Sequence, residues 1–319
     1  MTGICREITP EETLDCLRER DDYLIITHSS PDGDTLGSAF GLAGILNGMG
    51  KRAEVINGES VPARFSYLGA LSDTDSAEGK TVIAVDVADV KLVSGTAAEL
   101  IKSAELCIDH HPTNKKYAPR LLLDGKAAAC CEMIAKLGYA ADLVTEKVAT
   151  ALYTGIATDT GCFVFSNVTA ETHKIAAMLI ESGADAEFVN RLIFDTRSKA
   201  RMFLESVALK NLKYAFDGKC AYTVMDYDVL HSPESDMSEL DAIASIPRTV
   251  EGVTVGFTLK GREKGKFKVS VRSYPPVNAS KVCAAFGGGG HESAAGCEIE
   301  GSADEVIDRV LREIKEQLI

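Results

Sequence analysis

A chain of 319 residues exceeds what one hydrophobic core usually organises, which favours two domains of roughly 100 to 200 residues over a single large α/β barrel. Apolar residues at 45% and charged residues at 25% exclude the disordered, collagenous and membrane classes. A net charge of -13 repels phosphate polymers over most of the surface and argues against long duplex nucleic acid; a small anionic substrate stays possible where metal ions or clustered basic residues reverse the field.

Residues 1–14 hold no apolar signal core, and no apolar run approaches a membrane span, so no membrane partner is expected. The nine cysteines are odd in number and include no Cys-x-x-Cys pair, which reads as reduced thiols in a cytoplasmic protein.

From residue 22 to about 143, short β-branched runs alternate with helical stretches, the pattern of a parallel α/β sheet. Strands are predicted at 23–28 (YLIITH), 52–57 (RAEVIN), 81–87 (TVIAVDV) and 105–110 (ELCIDH), with a helix between the first two that stops at Gly48 and Gly50. Residues 145–210 read as successive helices, the last forming a connector over 191–210. Beyond it come strand patterns KYAF, CAYTVMD, VTVGFTLK and FKVSVRSY and helical patterns at 238–249, 278–286 and 303–318, a smaller α+β domain spanning 211–319.

Chemistry-bearing residues gather where strands end, which is where open α/β sheets place ligands. Directly after the first strand comes His28-Ser-Ser-Pro-Asp32-Gly-Asp34, where Pro31 and Gly33 force a turn that lets His28, Asp32 and Asp34 converge. The plainer alternative makes Asp34 a helix cap and His28 incidental. Asp86 ends the third predicted strand, where a buried carboxylate needs a cation or donors; Asp89 is better placed to cap the next helix. Asp109-His110-His111 ends the fourth, and adjacent histidines on extended backbone point apart, so one can ligate a metal while the other faces a substrate.

Asp159, in Thr158-Asp159-Thr160-Gly161, stands near a helix C-terminus, where it opposes the helix dipole and asks for positive charge. Together these residues make an oxygen and nitrogen donor set without sulfur. Such a set fits two divalent ions, with Mn²⁺ favoured over Mg²⁺ because imidazole is included, Co²⁺ an option and zinc disfavoured without cysteine. Two ions about 3.5–4 Å apart serve in-line attack on phosphorus.

In the second half, Gly287-Gly288-Gly289-Gly290-His291 offers backbone N–H groups and a ring donor to an anion, although consecutive glycines also suit a hinge. It has neither the Lys-Ser/Thr of a P-loop nor a dinucleotide fingerprint. The basic stretch 260–272 (KGREKGKFKVSVR) reads as a solvated hairpin tip, with Lys268, Ser270 and Arg272 sharing a strand face and Arg272 the residue expected in a cleft.

Taken in order, these five motifs resemble the DHH phosphoesterase superfamily, and within it the NrnA-type group of oligoribonucleases and 3'-phosphoadenosine 5'-phosphate phosphatases, over nearly the whole chain. The resemblance implies an N-terminal catalytic DHH domain over 1–190, with a mainly parallel sheet flanked by helices, and a DHH-associated substrate domain over 211–319 across a cleft. It implies one metal on His28, Asp32 and Asp86, and another on Asp34, Asp86, His110 and Asp159, with Asp86 bridging. His111 would stand by the reacting phosphate, Asp109 would orient a neighbouring histidine, and Arg272 with Gly288, Gly289, Gly290 and His291 would grip the substrate's far end. At Cys162-Phe163-Val164 a basic residue near the phosphates would be expected, and none is present.

The expected activity is degradation of very short single-stranded RNA and dephosphorylation of 3'-phosphoadenosine 5'-phosphate. A cyclic-di-AMP or pApA phosphodiesterase is the alternative within the superfamily, a manganese inorganic pyrophosphatase a weaker one, and a non-catalytic nucleotide-binding regulator the alternative of another class. The sequence leaves the oligomeric state open.

Overall fold

The computed structural model describes residues 5–240 and 242–318, and the chain divides into two units, Met1–Thr196 and Arg197–Ile319. In the first, six strands, β1 (Arg6–Glu7), β2 (Tyr23–Ile26), β3 (Ala53–Ile56), β4 (Thr81–Val85), β5 (Leu106–Asp109) and β6 (Arg120–Leu123), form one sheet in the order β1-β6-β5-β4-β2-β3. Every neighbouring pair is parallel. The four predicted strands are present, each shortened because the chain turns away at its polar end. β1 and β6 escaped the sequence reading; β1 has only two residues, and β6 (RLLL) is too short to show alternation.

Both faces of this sheet are buried, as a parallel sheet requires. Along β2, Tyr23 and Ile25 join a core with helices α1 (Pro10–Glu19), α2 (Gly33–Gly48), α4 (Cys130–Ala140), α5 (Glu146–Asp159) and α6 (Ala170–Glu181), whereas Leu24 and Ile26 face a thinner layer containing α3 (Ala97–Leu100). A short α7 (Ala186–Asn190) runs into a single π-helical turn, Arg191–Asp195. The strand order reverses at β2, flanked by β3 on one side and β4 on the other, so the crevice beyond the carboxyl ends of β2 and β4 is a topological switch point.

Helices α2 and α5 approach unusually closely because α2 carries glycines at helical spacing. A Cβ on Gly37 would stand 2.4 Å from the Ala151 carbonyl oxygen, and one on Gly155 would stand 2.2 Å from Cys131 Sγ and 2.7 Å from Asp34 Oδ1. This contact draws the start of α2 against the end of α5.

The second unit contains α8 (Lys199–Lys210), β7 (Lys213–Ala215), β8 (Cys220–Met225), α9 (Tyr227–Leu230), β9 (Val255–Glu263), β10 (Lys266–Ser273), α10 (Ala279–Ala284), β11 (Gly289–Gly290), β12 (Ala294–Glu300) and α11 (Ala303–Leu318). Its sheet runs β11-β12-β10-β9-β8-β7, with β8 and β9 parallel and the other pairs antiparallel. Val306, Val310 and Ile314 of α11 cover one face against Phe257 and Val269. Helix α8, expected in a connector, instead packs within this unit: Leu204 and Ala208 cluster with Met225, Leu230 and Ile243. The predicted helix over 238–249 is two 3-10 segments, Met237–Glu239 and Ala242–Thr249, with Asp241 outside the described residues, as are residues 1–4 of the N-terminal segment.

Candidate metal centre

The side chains at the switch point come from the ends of β2, β4 and β5, the start of α2 and the end of α5. His28 follows β2 and donates through Nδ1 to the Ser29 carbonyl at 2.6 Å, which turns Nε2 toward Asp86 Oδ2 at 3.5 Å. Burial disfavours its imidazolium, but the bond to Asp86, the Ser29 carbonyl and the charges of Asp86 and Asp32 outweigh that and push its pKa up to about 9. Asp32, not Asp34, caps α2: its Oδ1 accepts from the Thr35 N–H at 2.9 Å. Asp34 lies inside the first turn, fully buried, and its two oxygens accept from the N–H groups of Cys130 (2.7 Å) and Cys131 (2.9 Å) at the N-terminus of α4.

Asp86 sits just beyond β4 with φ of 57°, a left-handed backbone rare for a residue with a Cβ and of a kind that clusters at functional sites. Its Oδ2 accepts from Thr35 Oγ1 at 2.7 Å. Its Oδ1 is buried without a hydrogen-bond partner among the described residues, 3.6 Å from both His110 Nε2 and His111 Nδ1. Asp89 caps the short 3-10 turn Val90–Leu92.

After β5 the two histidines do not point apart as expected: their rings meet edge to face with centroids 4.5 Å apart, and both approach Asp86 Oδ1. His110 is held through Nδ1 by the Ala127 carbonyl at 3.2 Å, and its Nε2 lies 3.4 Å from Asp159 Oδ2 and 3.8 Å from Asp34 Oδ2. His111 Nδ1 donates to Asp109 Oδ1 at 2.7 Å, which leaves Nε2 free on a half-exposed ring. Asp109 is itself buried, and Asn114 donates to its Oδ2 at 2.6 Å. Burial alone would raise the Asp109 carboxyl, yet the His111 and Asn114 hydrogen bonds hold it below the ordinary carboxylate value, and the same bond raises His111.

Asp159, the last residue of α5, completes the cluster. Burial, then repulsion from neighbouring carboxylates, push Asp34 up to about 7 and Asp159 higher still. Concentrated carboxylates at such cost call for a cation.

Among the described residues, three groups each bring their donor atoms within 4.8 Å of one another: His28, Asp32 and Asp86; Asp34, His110 and Asp159; and Asp86, His110 and His111. All six residues expected to ligate metal are therefore brought together. In the third group the His111 Nδ1 is already committed to Asp109. The orphaned Asp86 Oδ1, facing His110, is the kind of buried acceptor that a metal ion satisfies, so the residues fit the implied group.

Sequence reasoning missed the supporting residues Thr35, Asn114 and Asn167. Thr35 Oγ1 touches both Asp86 and His28, and Asn167 ties the Ala128 carbonyl to that of Asp159. Only the adjacency of Thr35 to Asp34 could have flagged any of them.

In the second unit, Lys268, Ser270 and Arg272 share a face of β10, opposite Phe267, Val269 and Val271 in the core. The hairpin-tip residues from Arg262 to Gly265 are exposed, whereas Lys260, inside β9, is fully buried. The glycine segment is not an open cradle: the N–H groups of Gly287, Gly288 and His291 donate to Ala284, Cys283 and Ala294 carbonyls, and Gly289 and Gly290 pair with β12. What it presents outward is the His291 side chain, in a turn whose Ala294 pairs with Arg272.

Comparisons with known proteins agree with this geometry. The family described as "DHH family, N-terminal domain" matches residues 22–156, and the DHHA1 domain matches 217–319. The chain is 35% identical over 308 residues to the bifunctional oligoribonuclease and PAP phosphatase NrnA of Thermus thermophilus, covering 92% of this chain and 89% of that protein. To the protein of the same description from Bacillus subtilis it is 27% identical, covering 92% and 94%. An exopolyphosphatase-related protein from Bacteroides fragilis has the same fold, with TM-score 0.86 at 22% identity and 96% of each chain covered. A crystal structure of exonuclease RecJ bound to manganese shares it more distantly, at TM-score 0.51 and 15% identity over 99% of this chain and 96% of that one. On these two matched domains and the 35% identity to the Thermus thermophilus protein, the chain belongs to the DHH family of phosphoesterases.

Proposed function

We propose that this protein is a two-metal phosphohydrolase that degrades very short oligoribonucleotides, roughly two to five nucleotides long, and removes a phosphate from 3'-phosphoadenosine 5'-phosphate. The observation that carries the reading is Asp86 Oδ1, a buried carboxylate oxygen with no hydrogen-bond partner on a residue shared by two donor groups. In this reading His28, Asp32 and Asp86 hold one ion, and Asp34, Asp86, His110 and Asp159 the other. Mixed imidazole and carboxylate donors favour Mn²⁺. Bound there, the ions supply Lewis-acid stabilisation of phosphoryl oxygens and acidify the attacking water.

The chain's own groups do the rest. Asp109 fixes the His111 ring and raises its pKa, which favours the protonated ring whose Nε2–H would face the reacting phosphate. Arg272 and the His291 side chain grip a phosphate or nucleotide end, and the net charge of -13 restricts length by repelling longer RNA. Support for the substrate class comes from the activities named for the Thermus thermophilus and Bacillus subtilis relatives. A non-catalytic regulator would be expected to have lost ligands, and all six are present together.

The test is side-by-side initial rates on 3'-phosphoadenosine 5'-phosphate, pApA, a five-nucleotide RNA, cyclic-di-AMP and pyrophosphate, in Mn²⁺ and in Mg²⁺. Pyrophosphate turnover far above that of dinucleotides would overturn the reading, as would protein that binds two metals but turns over no phosphate ester.

A further inference from the structure

We propose that Phe165 is a stacking platform for a nucleobase of the substrate beside the metal centre, an inference that rests on the nucleotide reading above. The argument begins with the chain leaving Asp159. Gly161, Cys162 and Phe163 adopt three successive left-handed conformations, with φ of 56°, 57° and 65°, a costly reversal for two residues bearing side chains.

The reversal is held firmly. The N–H groups of Val164 and Phe165 both donate to the Thr160 carbonyl at 2.9 Å, and Asn167 donates to the Asp159 carbonyl at 3.1 Å. Phe163 turns inward and stacks on His173 with ring centroids 5.2 Å apart. Phe165 turns outward and is 54% exposed, yet its ring is seated: a Cβ on Gly161 would lie 2.4 Å from its Cζ. A side chain at 161 would therefore have to displace this ring.

The ring thus rests on the backbone of Gly161, two residues beyond Asp159, with its outer side open. Residues 159–168 contain no Lys or Arg, so this rim has no charge with which to hold a phosphate, and its binding chemistry is the face of an aromatic ring. Rings of this kind stack bases with little sequence preference, which suits an enzyme that clears short RNA of any sequence.

The test compares the Mn²⁺-loaded wild-type chain with Phe165→Ala and Phe165→Trp, using calorimetric binding of AMP and of ribose 5-phosphate and initial rates on pApA. Phe165→Ala is expected to weaken AMP binding and to lower kcat/KM on pApA by about 5- to 100-fold, with ribose 5-phosphate affinity unchanged and Phe165→Trp restoring AMP binding. Equal losses on AMP and ribose 5-phosphate, or no loss on either, would overturn the platform. Absence of turnover on pApA with Phe165-dependent preference for AMP would refute the hydrolase reading and leave the platform standing.

Discussion

Replacing Thr35 by Val tests whether the metal centre depends on a hydroxyl that ligates nothing. The change preserves shape and the α2 backbone but removes the hydroxyl that donates to Asp86 Oδ2 at 2.7 Å and meets His28 Nε2. Because Asp86 is only 3% exposed, water cannot replace that donor. A buried hydrogen bond to a charged group contributes about 1.5–3 kcal/mol. Groups that orient metal ligands typically govern 10- to 100-fold in affinity, or about 1.4–2.7 kcal/mol, so the two routes agree. Calorimetric titration with Mn²⁺ should therefore show roughly 10- to 100-fold weaker binding, and thermal unfolding should occur about 3–12 °C lower for a unit of this size. Thr35→Ser keeps the hydroxyl and should retain most of both. A Thr35→Val protein that binds Mn²⁺ like the wild type would refute the assigned role.

The same geometry sets further outcomes. Asp86→Ala should lower the initial rate in saturating Mn²⁺ by roughly 10³-fold or more, because in the proposed reading both ions lose a shared ligand; near-normal turnover would refute the bridge. Gly155→Ala should force Cys131 and Asp34 to shift, costing about 1–3 kcal/mol in denaturant unfolding and weakening Mn²⁺ binding, and an unchanged affinity would contradict the close α2–α5 approach. Asp34 and Asp159 have folded-state values above the ordinary 3.8, so the folded state binds protons more tightly than the unfolded one. The stability they contribute is complete below about pH 4 and drains away as pH rises through about 7 and beyond, while Mn²⁺ competes with those protons. Melts from about pH 5 to 8 should show the Mn²⁺-induced stabilisation growing with pH; a flat increment would refute the coupling.

The sequence showed β2, β4 and β5 because buried parallel strands are apolar runs, each closed by a polar residue, and it showed the half-buried edge strand β3 by its Val55-Ile56 pair. It did not show β1 and β6, whose two and four residues carry no period of their own and are defined by pairing with each other and with β5. Helix α8 looked like a connector because amphipathicity reveals that a helix has a buried face but not which unit buries it. The glycine run read as an open cradle, but its N–H groups had partners in Cys283, Ala284 and β12, residues no local pattern could pair with it.

For the candidate site the division is sharper. The sequence by itself determined the donor inventory: carboxylates and imidazoles at 28, 32, 34, 86, 110 and 159, without sulfur, at the polar ends of apolar elements. That comes from local chemistry, since a buried strand end tolerates an acid only where something compensates it. Only the tertiary structure decided which atom of each residue remains available. Ala127 takes His110 Nδ1 and leaves Nε2, Asp109 takes His111 Nδ1, the start of α4 satisfies Asp34, and Thr35 takes one oxygen of Asp86 and leaves the other bare. Hydrogen bonds between residues far apart in the chain have no signature in either segment alone, and it is those bonds that turn six polar residues into a site with a direction.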